Sequence, residues 1–253
     1  MARVIAVSNL KGGSAKSTTT IALGAVLAQF GQRTLLVDVD AQGHVSEGYG
    51  IPALSLAHDL SEVLAGDVPV TDILLPLRPN LTLAPSNLKL AYVEPYLVNE
   101  VGRERKLADA LERVQNDFDI ILIDCPPSVG IYTVNAFRAA SEVLVPMTAE
   151  FFAFIGVSML FDSLDRVKKG LKHTVSVAGV IPTRVSRTTN ARQVVDQIHR
   201  EIGSTYRIFT EIPEAVAVRA AAAAGKPITE FDPNSKASEA YRTVAKELLN
   251  GRA

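Results

Sequence analysis

The sequence predicts an α/β fold: a mostly parallel, doubly wound sheet with helices on both faces. Short apolar runs alternate along the chain with longer segments of helical period. The runs are rich in Val, Ile and Leu and do not alternate with polar residues, the pattern of strands buried on both faces. With 253 residues, 47% hydrophobic and 21% charged, the chain has ample material for such a core.

The elements follow in order. An apolar run predicts a first strand over residues 4–8, and a glycine-bearing loop leads from it into a helix over 17–30. Strands are expected over 34–38, 81–84, 120–124, 143–147 and 175–181, with a further one just before Pro213. Helical period predicts helices over 104–116, 133–140, 156–169, 190–202, 215–224 and 238–249. Ala220 to Ala224 is closed by Gly225, a residue suited to end a helix. No linker rich in Pro, Gly and Ser interrupts the series, so residues 1–253 are read as one domain. Nothing precedes the first strand that could form an N-terminal helix-turn-helix module.

Composition excludes several classes. Lys and Arg number 26 against 27 Asp and Glu, so the surface is not basic overall, although a local basic strip is compatible with this balance. The single cysteine, Cys125, excludes a disulfide framework within the chain and a multi-cysteine metal site, and fits a reducing, cytoplasmic compartment. The first apolar run is too short for a secretory signal, and no stretch reaches the ~18 apolar residues of a membrane span.

Lys11-Gly12-Gly13-Ser14-Ala15-Lys16-Ser17-Thr18 stands between the first strand and the first helix, the context that a phosphate-binding loop requires. Two glycines let successive backbone N–H groups curl toward an anion, and the helix N-terminus adds partial positive charge. Lys16 supplies a cation for β- and γ-phosphates, and the Ser17 hydroxyl is placed to ligate Mg2+. The run Leu35-Leu36-Val37-Asp38-Val39-Asp40 delivers two carboxylates at a strand's C-terminal edge, where open α/β sheets bind ligands. A pair of solvated turn aspartates is the plainer alternative. The run Ile120-Ile121-Leu122-Ile123-Asp124 repeats the logic, and a carboxylate there can hold Mg2+ through water. Cys125 has no His nearby in sequence and reads as a buried thiol, not a nucleophile.

The standard G-x-x-x-x-G-K-[ST] pattern fails, because Leu10 and Ala15 stand at its glycine positions. The loop instead resembles the deviant Walker A motif, K-G-G-x-x-K-[ST], of ParA/MinD ATPases, a branch of the P-loop NTPases. Asp38-Val39-Asp40-Ala41-Gln42 resembles that family's D-x-D-P-Q, and Asp124 through Phe154 its Walker B and switch region. Ala84-Pro85-Ser86-Asn87, Ile181-Pro182-Thr183-Arg184 and the segments from Gly225 onward also resemble it, so the likeness spans nearly the whole chain. Two departures stand out. Ala15 replaces a usual glycine and fits only if its φ is negative. Glu214-Ala215-Val216-Ala217 replaces the family's Arg-Asn-Val-Arg after Pro213.

The resemblance implies an ATP- and Mg2+-dependent, nucleotide-dimerised ATPase of DNA partition, chromosomal or plasmid, slow unless stimulated. Lys11 would reach phosphates bound by a second subunit, Asp40 would polarise the attacking water, and Asp38 would support the Mg2+ shell with Ser17 and Asp124. Residues 11–18 with Pro182, Thr183 and Pro213 would hold the nucleotide. The ATP dimer would bind DNA without sequence preference on the nucleoid, and a ParB-like centromere-binding protein would release it. Cations available for DNA are Arg184, Arg187, Arg192, Arg200, Arg207, Arg219 and Lys226. An orphan switch that positions a non-DNA cargo is the alternative. A MinD-like membrane-cycling ATPase would need a basic, bulky amphipathic tail, whereas Ala245 to Ala253 carries Glu247 and no aromatic residue, so no membrane partner is expected. A relative that holds an iron–sulfur cluster at a dimer interface is excluded by the cysteine count.

Overall fold

The computed structural model describes residues 1–150 and 153–251. Residues 151–152, within the segment that resembles a switch region, and 252–253 of the tail lie outside them. In chain order the elements are β1 (Arg3–Val7), α1 (Lys16–Gln29), β2 (Thr34–Asp38), α2 (His44–Gly48), α3 (Leu60–Ala65), β3 (Leu75–Arg78), β4 (Leu81–Ala84), α4 (Lys89–Leu97) and α5 (Lys106–Glu112). They continue with β5 (Ile120–Asp124), α6 (Ile131–Ala139), β6 (Glu142–Thr148), α7 (Ala153–Leu171), β7 (Ser176–Thr183), α8 (Thr189–Glu201), α9 (Val216–Ala223), α10 (Ile228–Phe231) and α11 (Lys236–Asn250).

The strands form one sheet in the order β3-β4-β2-β5-β1-β6-β7. Every pairing is parallel except β3 with β4. Alternate strand residues feed two cores, as the two-residue period of a strand requires. Ile5, Leu36, Leu122 and Leu144 pack on one face with Leu23 and Leu27 of α1 and Tyr241, Val244 and Leu248 of α11. Val37, Ile121, Ile123, Val143 and Val145 pack on the other with Leu60, Leu90, Leu107, Phe137, Leu160 and Ile198. Helices on both faces explain why β2 and β5 are buried at every residue and read as unbroken apolar runs.

The strand expected before Pro213 does not form as a regular element. Val180 and Ile208 bridge in parallel, as do Val185 and Pro213, but no ladder joins them. Val180 donates to the Arg207 carbonyl, and Phe209 donates to Val180. The next donor on β7 would be Pro182, which has no N–H. Its carbonyl still accepts, from the Ile212 N–H at 2.7 Å, and the pairing slips by a residue. The sheet also gains β3, whose half-buried residues alternate with exposed ones around Pro76, as an antiparallel edge strand can.

Candidate nucleotide and magnesium site

The parallel ladders bring the carboxyl ends of three strands together: Val7 of β1 and Asp38 of β2 each lie in register with Asp124 of β5. The loop after β1 is anchored by Asn9, buried, whose amide donates to the Pro146 carbonyl at 2.7 Å and whose Oδ1 accepts the Lys11 N–H at 2.9 Å. Gly13 and Ala15 both have positive φ, +74° and +68°. The condition for Ala15 to fit without strain, a negative φ, is therefore not met. Its methyl group sits in the left-handed region, at a cost of roughly 1–2 kcal/mol for an L-residue. Ala15 is also the N-cap of α1 and offers no side-chain cap, so the leading N–H groups of the helix lack the usual partner.

A cavity of about 580 Å³ opens over this loop, lined by residues 12–18, Asp40, Gln42, His44, Glu94 and Pro126, among others. Lys16 is 7% exposed; burial lowers its pKa, opposed by the charge of Asp124. Burial pushes the Asp124 carboxyl up to about 6, although the Ser17 hydroxyl, the Lys16 ammonium and Thr20 pull it down. Its Oδ1 accepts from the Thr20 hydroxyl at 3.1 Å, while Oδ2 is buried without a hydrogen-bond partner, as is the hydroxyl of Ser14. A buried carboxylate oxygen left unpaired is costly unless something absent from the bare chain meets it. Ser17 beside it offers a second hard oxygen, and such donors suit Mg2+.

Asp38, which the resemblance places in support of the Mg2+ shell, is occupied by backbone donors. It is fully buried and, like Asp124, does not itself line the cavity. Its two oxygens accept the N–H groups of Asp40 and Val45, both at 3.0 Å. Burial first, and then the charge of Asp124, pushes its carboxyl well above the usual range. Asp38 thus holds the turn that carries Asp40, which is 8% exposed and lines the cavity. Ser86, also fully buried, donates to the Asp40 carbonyl at 2.6 Å. Gly43 completes the turn with φ +66°, and a Cβ there would meet the Ser86 carbonyl at 2.9 Å.

Across the phosphate loop lies a second cavity of about 360 Å³, which shares Gly13, Ala15 and Thr18 with the first. Thr183 and Pro213 line it, but Pro182 does not, its carbonyl accepting the Ile212 N–H. Lys11 lines neither cavity. Its ammonium pairs with Glu150 of the same chain, 3.4 Å from the Thr148 hydroxyl. Cys125 is wholly buried and burial drives its thiol pKa upward, which leaves it no nucleophilic character.

A protein-family model described as an AAA domain matches residues 2–177. The sporulation initiation inhibitor protein Soj of Bacillus subtilis is 38% identical over 98% of this chain and 98% of its own. The chain belongs to the ParA/Soj family of P-loop ATPases. The chromosome partitioning protein ParA of Myxococcus xanthus is likewise 38% identical, over 98% of this chain and 88% of its own. Among solved structures, a Mycobacterium smegmatis protein described as cobyrinic acid a,c-diamide synthase, with bound ATP analog and magnesium, superposes with a TM-score of 0.87. It is 34% identical and the match covers 99% of this chain and 95% of that one.

On this ParA-family chain some of the basic residues named for DNA already have partners. Arg184 lies 3.8 Å from Glu214 and reaches the Gly13 carbonyl at 3.5 Å. Arg192 pairs with Glu211 at 2.7 Å, and Arg207 stacks over the Phe209 ring. Arg187, Arg200, Arg219 and Lys226 have no ion pair among the described residues. No helix among those residues is long and apolar enough to cross a membrane. Sequence reading passed over Ser86 as a support for Asp40, and His44 and Glu94 as cavity residues. Only for Ser86 was there a signal, its place in a segment that resembles the family.

Proposed function

We propose that this chain is a Mg2+-dependent ATPase that dimerises on ATP and serves DNA partition. The observation that carries the reading is the meeting of Lys16, Asp40 and the unpaired Oδ2 of Asp124 around one uncapped helix N-terminus. The loop N–H groups and the Lys16 ammonium bind the β- and γ-phosphates of ATP. Ser17 and Asp124 would hold Mg2+, which when bound neutralises charge on the departing γ-phosphate. Asp40 accepts a hydrogen bond from the attacking water and orients it. Asp38 and Ser86 fix the turn on which Asp40 stands, and Lys11 leaves Glu150 to meet phosphates held by a second copy.

The dimer binds DNA without sequence preference through Arg187, Arg200, Arg219 and Lys226, and a ParB-like partner stimulates hydrolysis and release. The Myxococcus xanthus relative, named as a chromosome partitioning protein, supports this. A second reading, positioning of a non-DNA cargo by the same switch, is favoured by Glu211 and Glu214, which pair off two of the arginines. Sizing chromatography and plasmid retention with ATP, with ADP and without nucleotide test both. The partition reading expects an ATP dimer, monomeric Lys11→Ala, and ATP-only DNA binding with a log–log salt slope of about −0.9 per neutralised phosphate. An ATP dimer that ignores plasmid DNA at ~50 mM salt, where such contacts are strong, selects the second reading. A dimeric Lys11→Ala sinks the assignment of Lys11.

A further inference from the structure

Helix α4 is apolar on two faces, and the chain covers only one of them. Leu90 and Leu97 are buried in the core. Leu88, Tyr92 and Tyr96 recur every four residues and so line one outward stripe, 47%, 76% and 75% exposed. Ala91 and Pro95, also exposed, widen it, and no charged residue interrupts it. Exposed Val129 adjoins the helix, since a Cβ on its neighbour Gly130 would stand 3.1 Å from Glu94 Oε1. A surface helix ordinarily turns polar residues away from the core, and α4 does the reverse. A contiguous apolar patch of this kind marks an interaction surface.

We infer that this face of α4 is covered by a second copy of the chain in the ATP dimer, an inference that rests on the dimerisation reading proposed above. In that reading Lys11 of each copy reaches phosphates held by the other, so the mouths of the two phosphate-loop cavities meet. Ala91 and Glu94 line that cavity and put α4 on the rim of its mouth, and Val129 stands between the lining residues Ser128 and Gly130. The charge pattern favours a copy of the same surface. In a two-fold dimer the same patch is used by both subunits, and an unpaired charge on it would face its like. The cations beside the stripe are already engaged: Lys89 with Asp59 and Glu62, Lys106 with Glu100, and Arg103 with the Val98 carbonyl. A nucleic acid or an anionic lipid surface would need such cations free. Tyrosine suits a contact that forms and parts with the nucleotide, because its ring packs while its hydroxyl stays wet.

The chain has no tryptophan, so Tyr92→Trp places a single indole emitter on this face. Its quenching by acrylamide and the sedimentation of the full chain are measured with Mg2+ and a slowly hydrolysed ATP analogue, with ADP, and without nucleotide. The indole is expected to be shielded, with emission shifted to the blue, only in the dimer that forms with the ATP analogue. Tyr92→Ser combined with Tyr96→Ser should raise the dimer dissociation constant at least about tenfold at unchanged affinity for a fluorescent ATP analogue. Tyr92→Phe with Tyr96→Phe, which keeps both rings, should retain most of the association. A dimer whose indole is as open to acrylamide as in the monomer overturns the inference and leaves the face to another partner. An unchanged dissociation constant in the serine variant overturns it as well. In both outcomes the ATP dimer still forms and the dimerisation reading stands. Shielding without nucleotide also overturns the inference, since the face would then pair independently of the site. If the wild-type chain stays monomeric with the ATP analogue, the dimerisation reading falls and this inference falls with it.

Discussion

The two sides of the phosphate loop handle their charges in opposite ways. On one side, at the carboxyl ends of the three central strands, Asp124 and Ser14 are buried with an unpaired oxygen each, and Lys16 is buried beside the Asp124 charge. On the other, beyond the edge strand β7, Arg184 with Glu214 and Arg192 with Glu211 face water and neutralise each other. The first arrangement is unstable without a ligand and so points to one. The second is worth little to the fold, since exposed pairs contribute about 0–1 kcal/mol, and its members are free to exchange partners. Buried, unsatisfied groups therefore mark where a ligand is expected, and exposed, satisfied pairs do not.

The largest expected effect breaks the first side at its reacting end. Asp40→Ala removes the carboxylate proposed to orient water and leaves the proposed phosphate contacts, so hydrolysis should fall by about 10²–10⁴ with ATP affinity kept. Single-turnover hydrolysis beside ATP binding measures the split; equal loss of both would show that Asp40 serves binding. Lys16→Ala comes next. Loss of a charge-assisted contact of about 1.5–3 kcal/mol lowers ATP affinity roughly ten- to hundredfold. A titration with unchanged affinity would move the nucleotide out of this loop altogether.

The same contrast decides how much was legible in the sequence. The strands β1, β2 and β5 were plain because burial on both faces leaves an unbroken apolar run, and Asp38, Asp40 and Asp124 sit where such runs end. The edges were not. Strand β3 carries Pro76 and covers only one face, and the pairing beyond β7 is broken by Pro182, whose missing donor depends on which residue stands opposite. Local pattern could place Asp38 beside the site, but only the tertiary turn shows its two oxygens committed to Asp40 and Val45. Ser86 reaches Asp40 across 46 residues, and no period or spacing encodes that. The same holds for the pairing of Lys11 with Glu150, and for the acids that face the arginines.

Asp124 sharpens the comparison through pH. The folded carboxyl keeps its proton up to about pH 6, whereas the unfolded one releases it near 3.8. The folded state binds more protons across that window, so its stability falls as pH rises through it. Asp124→Asn removes the penalty and should stabilise the apo chain at pH 7.5 by on the order of 1–3 kcal/mol, about 2–8 °C in melting temperature. The difference should close toward pH 4, and Mg2+-dependent hydrolysis should be lost. Melts of the two chains at both pH values check this; a variant less stable at pH 7.5 would mean that the unpaired Oδ2 is not a stored cost.

The smallest effect lies in the wall that the two cavities share. Ala15 holds φ +68° and ψ +27°, a conformation that glycine adopts freely. Ala15→Gly should relieve roughly 1–2 kcal/mol of left-handed strain and lose about 0.4–1 kcal/mol to the greater freedom of the unfolded chain. The net is a gain of about 0.5–1 kcal/mol by denaturant unfolding, within reach of a careful comparison of midpoints at constant slope. Because the methyl group borders both cavities, the substitution also reports on the loop as a nucleotide cradle. ATP affinity should be unchanged or tighter, since the glycine backbone reaches the anion-binding shape without strain. A variant that loses both stability and affinity would show that the methyl group's packing outweighs its backbone strain, and that the alanine is part of how this chain shapes the loop.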